Sequence, residues 1–435
     1  MITNSLFLSN QHNSGVSSRF YSFFGLLDTP LSHTIVLVSE ESMGSLLIAV
    51  IFLIFISLGL PDSLLGSAWP TMQIDFSVPS SYAGYVSMTI SAMTIVSALL
   101  APRFLRLVHT KWIVVVSISL TVIGLLGFSF SSAYWILFLF AIPYGLGAGA
   151  IDAAINHYVA NHYRSNIMNF LHCFYGVGAI ISPNIMSLAL ASAHWNEGYR
   201  WTSYVQIGIL AVVLLSLPLW KKNEEIDDSN KEFSDSAGLK ETMAQRGVIF
   251  TLIAFFSYCA GEATCFLWTA SYFAGTRSEL SQERIASFGS LIFLGLMLGR
   301  LMAGFVSNKL GDRMLIRIGT GVELLGIILV AIPFPSYWVT AAAFILIGIG
   351  MGPIYPSIQH MAPSNFGKRY SASVIGLQMA SAYVGSTFMP MLFGLLQEHL
   401  SIRIMPYYLL VFALLCISFL EITYRVIKKG EKKVS

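Results

Sequence analysis

WIVVVSISLTVIGLLGFSFSSAYWILFLFAIPYGLGAGAIDAAINHYVANHY, residues 112–163, carries a single charged side chain, Asp152. A membrane-crossing helix needs roughly 20 apolar residues, so a run of 52 residues reads as two such helices joined by a short turn. Residues 324–367 repeat the pattern over 44 residues with no charge at all. Helices are the natural reading, because an apolar helix satisfies its own backbone in lipid. A large membrane barrel would instead show alternating segments of roughly 10 residues, and the chain has none.

The rest of the chain agrees. Of 435 residues, 55% are hydrophobic and 11% charged, against about 25% charged in a soluble domain. Twelve spans can be marked, near 45–71, 82–101, 112–131, 134–160, 167–191, 200–220, 247–273, 284–307, 314–332, 337–361, 370–396 and 405–427. With both termini on the cytoplasmic side, the inner loops, the tails and the cytoplasmic ends of the spans hold 20 of the 25 basic residues. That bias orients a multi-pass protein, and compact loops suit a bacterial inner membrane. The net charge of +3 reports the same bias and implies no nucleic-acid partner. Cys173, Cys259, Cys265 and Cys416 all fall in spans as apolar fillers, without a disulfide framework.

Residues 1–43 mix Ser, Asn and Phe, with one short apolar patch at Thr34–Val38. They read as an N-terminal extension, disordered or preceding a natural start at Met43. Residues 221–246 are the one long polar internal segment and read as a cytoplasmic linker. The expected domains are therefore a bundle of six helices over 44–220, that linker, a second bundle over 247–428 and a tail from 429 to 435.

The two halves correspond at a period of about 200 residues. Asp62 in span 1 matches Glu262 in span 7. Trp69 follows the first acid by seven residues and Trp268 follows the second by six. Gly145, Gly147 and Gly149 in span 4 match Gly348, Gly350 and Gly352 in span 10, and Pro183 in span 5 matches Pro390 in span 11. Four matches in the same order argue for a duplicated unit of the kind that builds secondary transporters. The expected fold is an all-α membrane protein, twelve transmembrane helices in two pseudo-symmetric six-helix bundles.

Residues 299–313, GRLMAGFVSNKLGDR, join spans 8 and 9. They resemble the cytoplasmic loop signature of the major facilitator superfamily, with Gly304, Asn308, Lys309, Gly311, Asp312 and Arg313 in the signature places. Asn308 stands where an acid is common, and the corresponding loop after span 2, APRFLRLVHTK, lacks the glycines. In that superfamily these loops tie helices together in one state of the cycle. A second set is similar to the fucose-permease branch of sugar–proton symporters: GLPDSLLGSAWP (59–70), GLGAGAIDAAINHYVA (145–160), LHCFYGVGAIISP (171–183), GEATCFLWTASYF (261–273) and GIGMGPIYPS (348–357). This resemblance implies a central sugar site and functional acids at the positions of Asp62 and Asp152. Span 4 has Asp152 where the sugar-transporting prototype has Glu.

A charge at membrane depth costs roughly 2.5–3.5 kcal/mol on the lower scales and marks ion, proton or substrate paths. Asp62, Asp152 and Glu262 are therefore the expected proton-coupling and substrate-binding acids. Pro61, just before Asp62, removes a backbone donor and should leave a carbonyl free near the carboxylate. Asp152 and Asn156 share a helix face, where they can grip hydroxyls or bind each other. Trp268, with Trp69 as its counterpart in the repeat, is expected to line the site. An aromatic ring beside an acid suits a sugar, and also a lipophilic cation. His172 is read as a hydrogen-bond partner or proton relay. Gln359 and Gln378 are polar contacts or helix–helix glue. Arg300 is read as part of the structural loop signature.

There is no phosphate-binding Gly-x-x-x-x-Gly-Lys loop, no metal-ligand spacing and no sign of an enzyme. The expected activity is proton-coupled symport of a monosaccharide or similar small polar solute, by a functional monomer in the lipid bilayer without a cofactor. Sodium remains open as the coupling ion. Proton-coupled efflux of lipophilic or cationic compounds stays open as a second reading.

Overall fold

A computed structural model describes residues 31–162, 165–220 and 239–434. Among the described residues the regular structure is helical throughout. Twelve helical segments are long and apolar enough to cross a membrane. Spans 1 to 6 are Leu46–Asp75, Tyr82–Leu105, Thr110–Ser129, Tyr134–Asn156, Phe170–Ser192 and Trp195–Leu219. Spans 7 to 12 are Val248–Thr276, Gln282–Ser307, Asp312–Ala331, Tyr337–His360, Arg369–His399 and Ile402–Lys429. They correspond one to one with the twelve spans read from the apolar runs.

Two expectations need adjusting at the ends. Of the predicted N-terminal extension, residues 1–30 lie outside the described residues, whereas the helix Leu31–Asp62 already includes residues 31–43. The described residues up to Ala49 fall in a different unit from those beginning at Val50, and the helix contacts described below lie within the second. Of the predicted linker, residues 221–238 lie outside the described residues. Leu239–Met243 is a short helix, whose Glu241 accepts a hydrogen bond from Tyr370 at 2.7 Å and pairs with Arg369 at 3.3 Å. The end of that segment is thus fastened to the start of span 11.

Glycine decides the packing of each half. Gly145 and Gly149 present bare backbone to the Ile90 and Thr94 carbonyls of span 2, while Gly147 faces Ser117 and Thr121 of span 3. In the second half Gly348 and Gly352 lie on span 8, against Ile292 and Arg300, and Gly350 lies on span 9 against Gly319 and Glu323. The same alternation therefore seats span 4 between spans 2 and 3, and span 10 between spans 8 and 9. Any side chain there would push the helices apart, which is why small residues mark close helix contacts in membranes. A further pair of matching contacts sets Gly178 of span 5 on Ile56 and Leu60 of span 1, and Gly385 of span 11 on Phe256 and Ala260 of span 7.

The halves meet through spans 1 and 7, 2 and 11, and 5 and 8. The close approaches gather toward one end. Gly66 faces the Phe266 carbonyl, where a Cβ would come within 2.5 Å. Gly84 lies on Met391, and Gly289 on the Ser67 hydroxyl. Gln397 donates to the Ser80 hydroxyl. All of these lie toward the C-terminal ends of spans 1, 7 and 11, beyond Asp62 and Glu262.

At the opposite end the loop between spans 8 and 9 ties helices within its own half. Gly311 takes φ +72 with ψ 159, a conformation essentially restricted to glycine. Asp312 meets His360 Nδ1 at 2.8 Å, Arg313 lies 4.4 Å from the Tyr424 ring centre, and Arg317 grips Glu421 at 2.6 and 2.9 Å. Gly304 is open and Lys309 exposed. The Asn308 side chain lies outside the described residues.

Candidate functional site

Span 1 breaks where its acid sits. The helix Leu31–Asp62 ends, and a second helix, Leu64–Asp75, resumes after Ser63. Pro61 leaves the Ser57 carbonyl without its helical donor. That carbonyl is not free as expected. Gln206 of span 6, fully buried, donates Nε2 to it at 2.7 Å and accepts the Ser57 hydroxyl at 2.6 Å. Tyr144 of span 4 donates its hydroxyl to the Pro61 carbonyl at 2.5 Å. The break is thus satisfied by neighbouring helices, and Asp62 is left to other work. Every residue from Ser57 to Pro70 is buried except Asp62, which is exposed. Its Oδ2 accepts the Tyr175 hydroxyl at 2.8 Å.

Asp152 lies on span 4 within electrostatic reach of Asp62. Its Oδ1 accepts Asn156 Nδ2 at 2.9 Å, so the shared face is occupied by the pair itself. Asn156 Oδ1 has no hydrogen-bond partner among the described residues. In the other half, Glu262 Oε1 accepts the Tyr258 hydroxyl at 2.7 Å and stands 3.5 Å from Arg300 Nη2. Tyr258 lies one helical turn before Glu262, so this contact stays within span 7. Tyr175 reaches Asp62, Glu262 and Arg300 electrostatically, and Tyr355 of span 10 reaches Asp152 and Glu262. The three acids therefore form one neighbourhood drawn from spans 1, 4, 5, 7, 8 and 10.

The other predicted residues divide. Trp69 and Trp268 are fully buried. Trp69 donates Nε1 to the Ser80 carbonyl at 2.8 Å, and Trp268 donates to the Pro390 carbonyl at 2.9 Å. Each ring is thus held by a carbonyl outside its own helix, and for Trp268 the six residues of helix also rotate the side chain about 120° from the face of Glu262. Gln378 is fully buried and donates to Thr251 at 3.2 Å, which joins spans 11 and 7. Gln359 reaches Met379 Sδ at 3.1 Å and the Tyr355 hydroxyl at 3.3 Å. Both amides act as glue between helices. His172 packs edge-on to Phe55 at 5.7 Å and lies within electrostatic reach of Arg300.

Arg300, read as part of the loop signature, stands 3.5 Å from Glu262 Oε1. A lone guanidinium inside the run SLIFLGLMLGRLMAGF was the available signal. Tyr175, Tyr258 and Tyr355 were also missed. Only Tyr258 could have been found, from its spacing of four before Glu262.

The model of the Major Facilitator Superfamily matches residues 51–292 and 278–435. The chain belongs to that superfamily. Among curated relatives, the "Bypass of stop codon protein 6" of Saccharomyces cerevisiae is 22% identical over 308 residues, covering 63% of this chain and 61% of its own length. The glucose/mannose transporter GlcP of Bacillus subtilis is 23% identical, covering 68% and 74%. The class H tetracycline resistance protein of Pasteurella multocida is 22% identical, covering 81% and 89%. Two solved structures share the fold at 14% identity. The nucleoside transporter NupG has a TM-score of 0.67, with 86% of this chain and 98% of that chain covered. A bacterial homolog of the human lysosomal transporter Spinster has a TM-score of 0.66, with 88% and 97% covered. As a major facilitator transporter, the chain is a multi-pass membrane protein rather than an enzyme.

Proposed function

We propose that this protein is a proton-coupled symporter of a monosaccharide or similar small polar solute, with both termini in the cytoplasm of a bacterial cell. The observation that carries the reading is Asp62, the exposed carboxylate in an otherwise buried stretch, held by one neutral hydroxyl at the break of span 1. A carboxylate at membrane depth with no cationic partner among the described residues is suited to taking up and releasing a proton. Asp152, whose one hydrogen-bond partner among the described residues is Asn156, suits the same role. The free Asn156 Oδ1 and the Tyr258, Tyr355 and Tyr175 hydroxyls supply donors and acceptors for solute hydroxyls. The resemblance to sugar–proton symporters and the match to a glucose/mannose transporter support the substrate class.

Transport proceeds by rocking the half at 44–220 against that at 247–428. With the termini in the cytoplasm, the tight end of the seam is the outer one, and the acids face the cytoplasm. The match to a tetracycline resistance protein over 81% of the chain favours a second reading, proton-driven efflux of lipophilic compounds.

Uptake of labelled monosaccharides into proteoliposomes, with and without an inward proton gradient, separates the two. Gradient-stimulated uptake of one sugar supports symport. Movement of a cationic dye against the gradient, without sugar uptake, moves the acids to an efflux role. A sodium gradient in place of protons tests the coupling ion.

A further inference from the structure

We propose that the hydrogen bond from Gln397 to Ser80 is the latch that shuts the tight end of the seam, and that Trp69 and Trp268 are positioning residues, each holding one jaw of it. These tryptophans are a matched pair of the repeat for which the acid site has no use.

The first jaw is the chain entering span 2. Trp69 donates Nε1 to the Ser80 carbonyl at 2.8 Å, and Tyr134 of span 4 donates its hydroxyl to the Tyr82 carbonyl at 3.0 Å. The two rings meet at 6.3 Å. The second jaw is span 11. Trp268 donates to the Pro390 carbonyl at 2.9 Å, and Tyr408 of span 12 donates to the Met389 carbonyl at 2.8 Å. Phe393 stands between those two rings, at 5.7 and 5.1 Å. Each half thus uses one tryptophan and one tyrosine to fix two carbonyls of its own jaw.

The jaws meet along span 11. Met391, Gly394 and Gln397 are each three residues from the next, so they are neighbours on the helix surface. Gly84 lies on Met391, where a Cβ would stand 2.7 Å from the Met391 Cα. Gly394 lies on Ser81, where a Cβ would stand 3.3 Å from the Ser81 Cα and 2.8 Å from the Trp268 ring. Gln397 then donates to the Ser80 hydroxyl. Ser80 is therefore held by both halves at once, its carbonyl by Trp69 and its hydroxyl by Gln397. Gln397 is 8% exposed and Ser81 2%, so the joint is closed to water. Thr71 also reaches Gln282 across the seam at this end, but at 3.4 Å and in an exposed position.

The strengths of the contacts decide where the structure parts. Each jaw is fastened to its own half by two hydrogen bonds from aromatic side chains, which also bury a large area. Between the jaws stand bare backbone contacts and a neutral hydrogen bond, whose net contribution is small. The seam opens at Gln397 and Ser80, while Trp69 keeps Ser80 in place and Trp268 keeps span 11. Neither partner carries a charge, so parting them strands no ion at membrane depth.

The first test reads the mouth directly and needs no substrate. The full chain carrying Cys173→Ser and Ser81→Cys is placed in lipid nanodiscs, and its alkylation by a charged, water-soluble maleimide is timed against the same chain without Ser81→Cys. Gln397→Leu should raise the rate about two- to tenfold, the loss of one ordinary hydrogen bond. Ser80→Ala should raise it as much, and the double variant no further. Ser80→Thr, which keeps the hydroxyl, should stay at the starting rate. Trp268→Phe should raise the rate while Gln397 is present and add nothing to Gln397→Leu. An unchanged rate in Gln397→Leu, or effects of Gln397→Leu and Ser80→Ala that multiply, overturns the latch. A further rise from Trp268→Phe on top of Gln397→Leu overturns the positioning role. The second test locks the joint. Ser80→Cys with Gln397→Cys, bridged by a one-carbon bis-methanethiosulfonate, should move neither labelled sugar nor cationic dye in proteoliposomes, and a reductant should restore movement. Equal transport by bridged and reduced protein overturns the inference. Wild-type protein that moves neither solute would count against the symport reading, while the alkylation rates still decide the latch.

Discussion

Ser63, the residue at which span 1 breaks, donates its hydroxyl at 2.8 Å to the carbonyl of Ala179, the acceptor that Pro183 strips of its helical partner in span 5. The break in one helix thus repairs the kink in another. Ser63 also stands 2.7 Å from the Ser182 hydroxyl. The acid-bearing hinge and span 5 are locked together one residue from Asp62.

Ser63→Ala should leave that buried carbonyl without a donor, at a cost of about 1–3 kcal/mol. Pro183→Ala restores the backbone N–H, so the double variant should recover most of the loss. Thermal unfolding of the four proteins in detergent closes the cycle. Independent, additive effects would show that the two sites do not share the bond.

Asp62→Asn keeps the size of the side chain and removes its charge. Gradient-driven accumulation should disappear while substrate exchange at equal concentrations persists. Tyr175→Phe should weaken accumulation without abolishing it, because the acid remains. Accumulation by Asp62→Asn equal to wild type would remove Asp62 from the coupling role.

Trp69→Phe and Trp268→Phe test whether the two rings line the site. Each loses one buried N–H bond, worth about 0.5–1.5 kcal/mol of stability. Substrate affinity should change little, since each indole is held by a carbonyl outside its own helix. A loss of affinity near tenfold with unchanged stability would return the tryptophans to the binding site.

Gly149 and Gly208 offer a contrast within one half. Gly149 lies on the Thr94 carbonyl, whereas nothing stands within 4 Å of a Cβ at Gly208. Gly149→Ala should destabilise the protein by about 1–3 kcal/mol through overpacking. Gly208→Ala should be neutral, or stabilising by up to about 1 kcal/mol through helix propensity. Unfolding temperatures in one detergent compare them directly.

The spans were legible because membrane depth excludes charge, and the uncharged runs left no other reading. The three acids were legible for the same reason. The tryptophans were not, because their direction depends on helix phase and on the carbonyl that each indole finds outside its own helix. Tyr175 and Arg300 were hidden for a different reason. Tyr175 meets Asp62 from a helix 113 positions away, and Arg300 meets Glu262 from a neighbouring helix 38 positions on. The proline next to Asp62 was read correctly as a lost donor. Its repair by Gln206 of span 6 lies in tertiary contact that no local pattern records.

The glycine alternation on spans 4 and 10 seats backbone on backbone, with no rotamers between the helices to absorb a displacement. Each half should therefore behave as a lever, with what is imposed at one end arriving undiminished at the other. An antibody fragment that clamps the loops on one membrane face should then arrest traffic at the opposite mouth, although it touches none of the carboxylates.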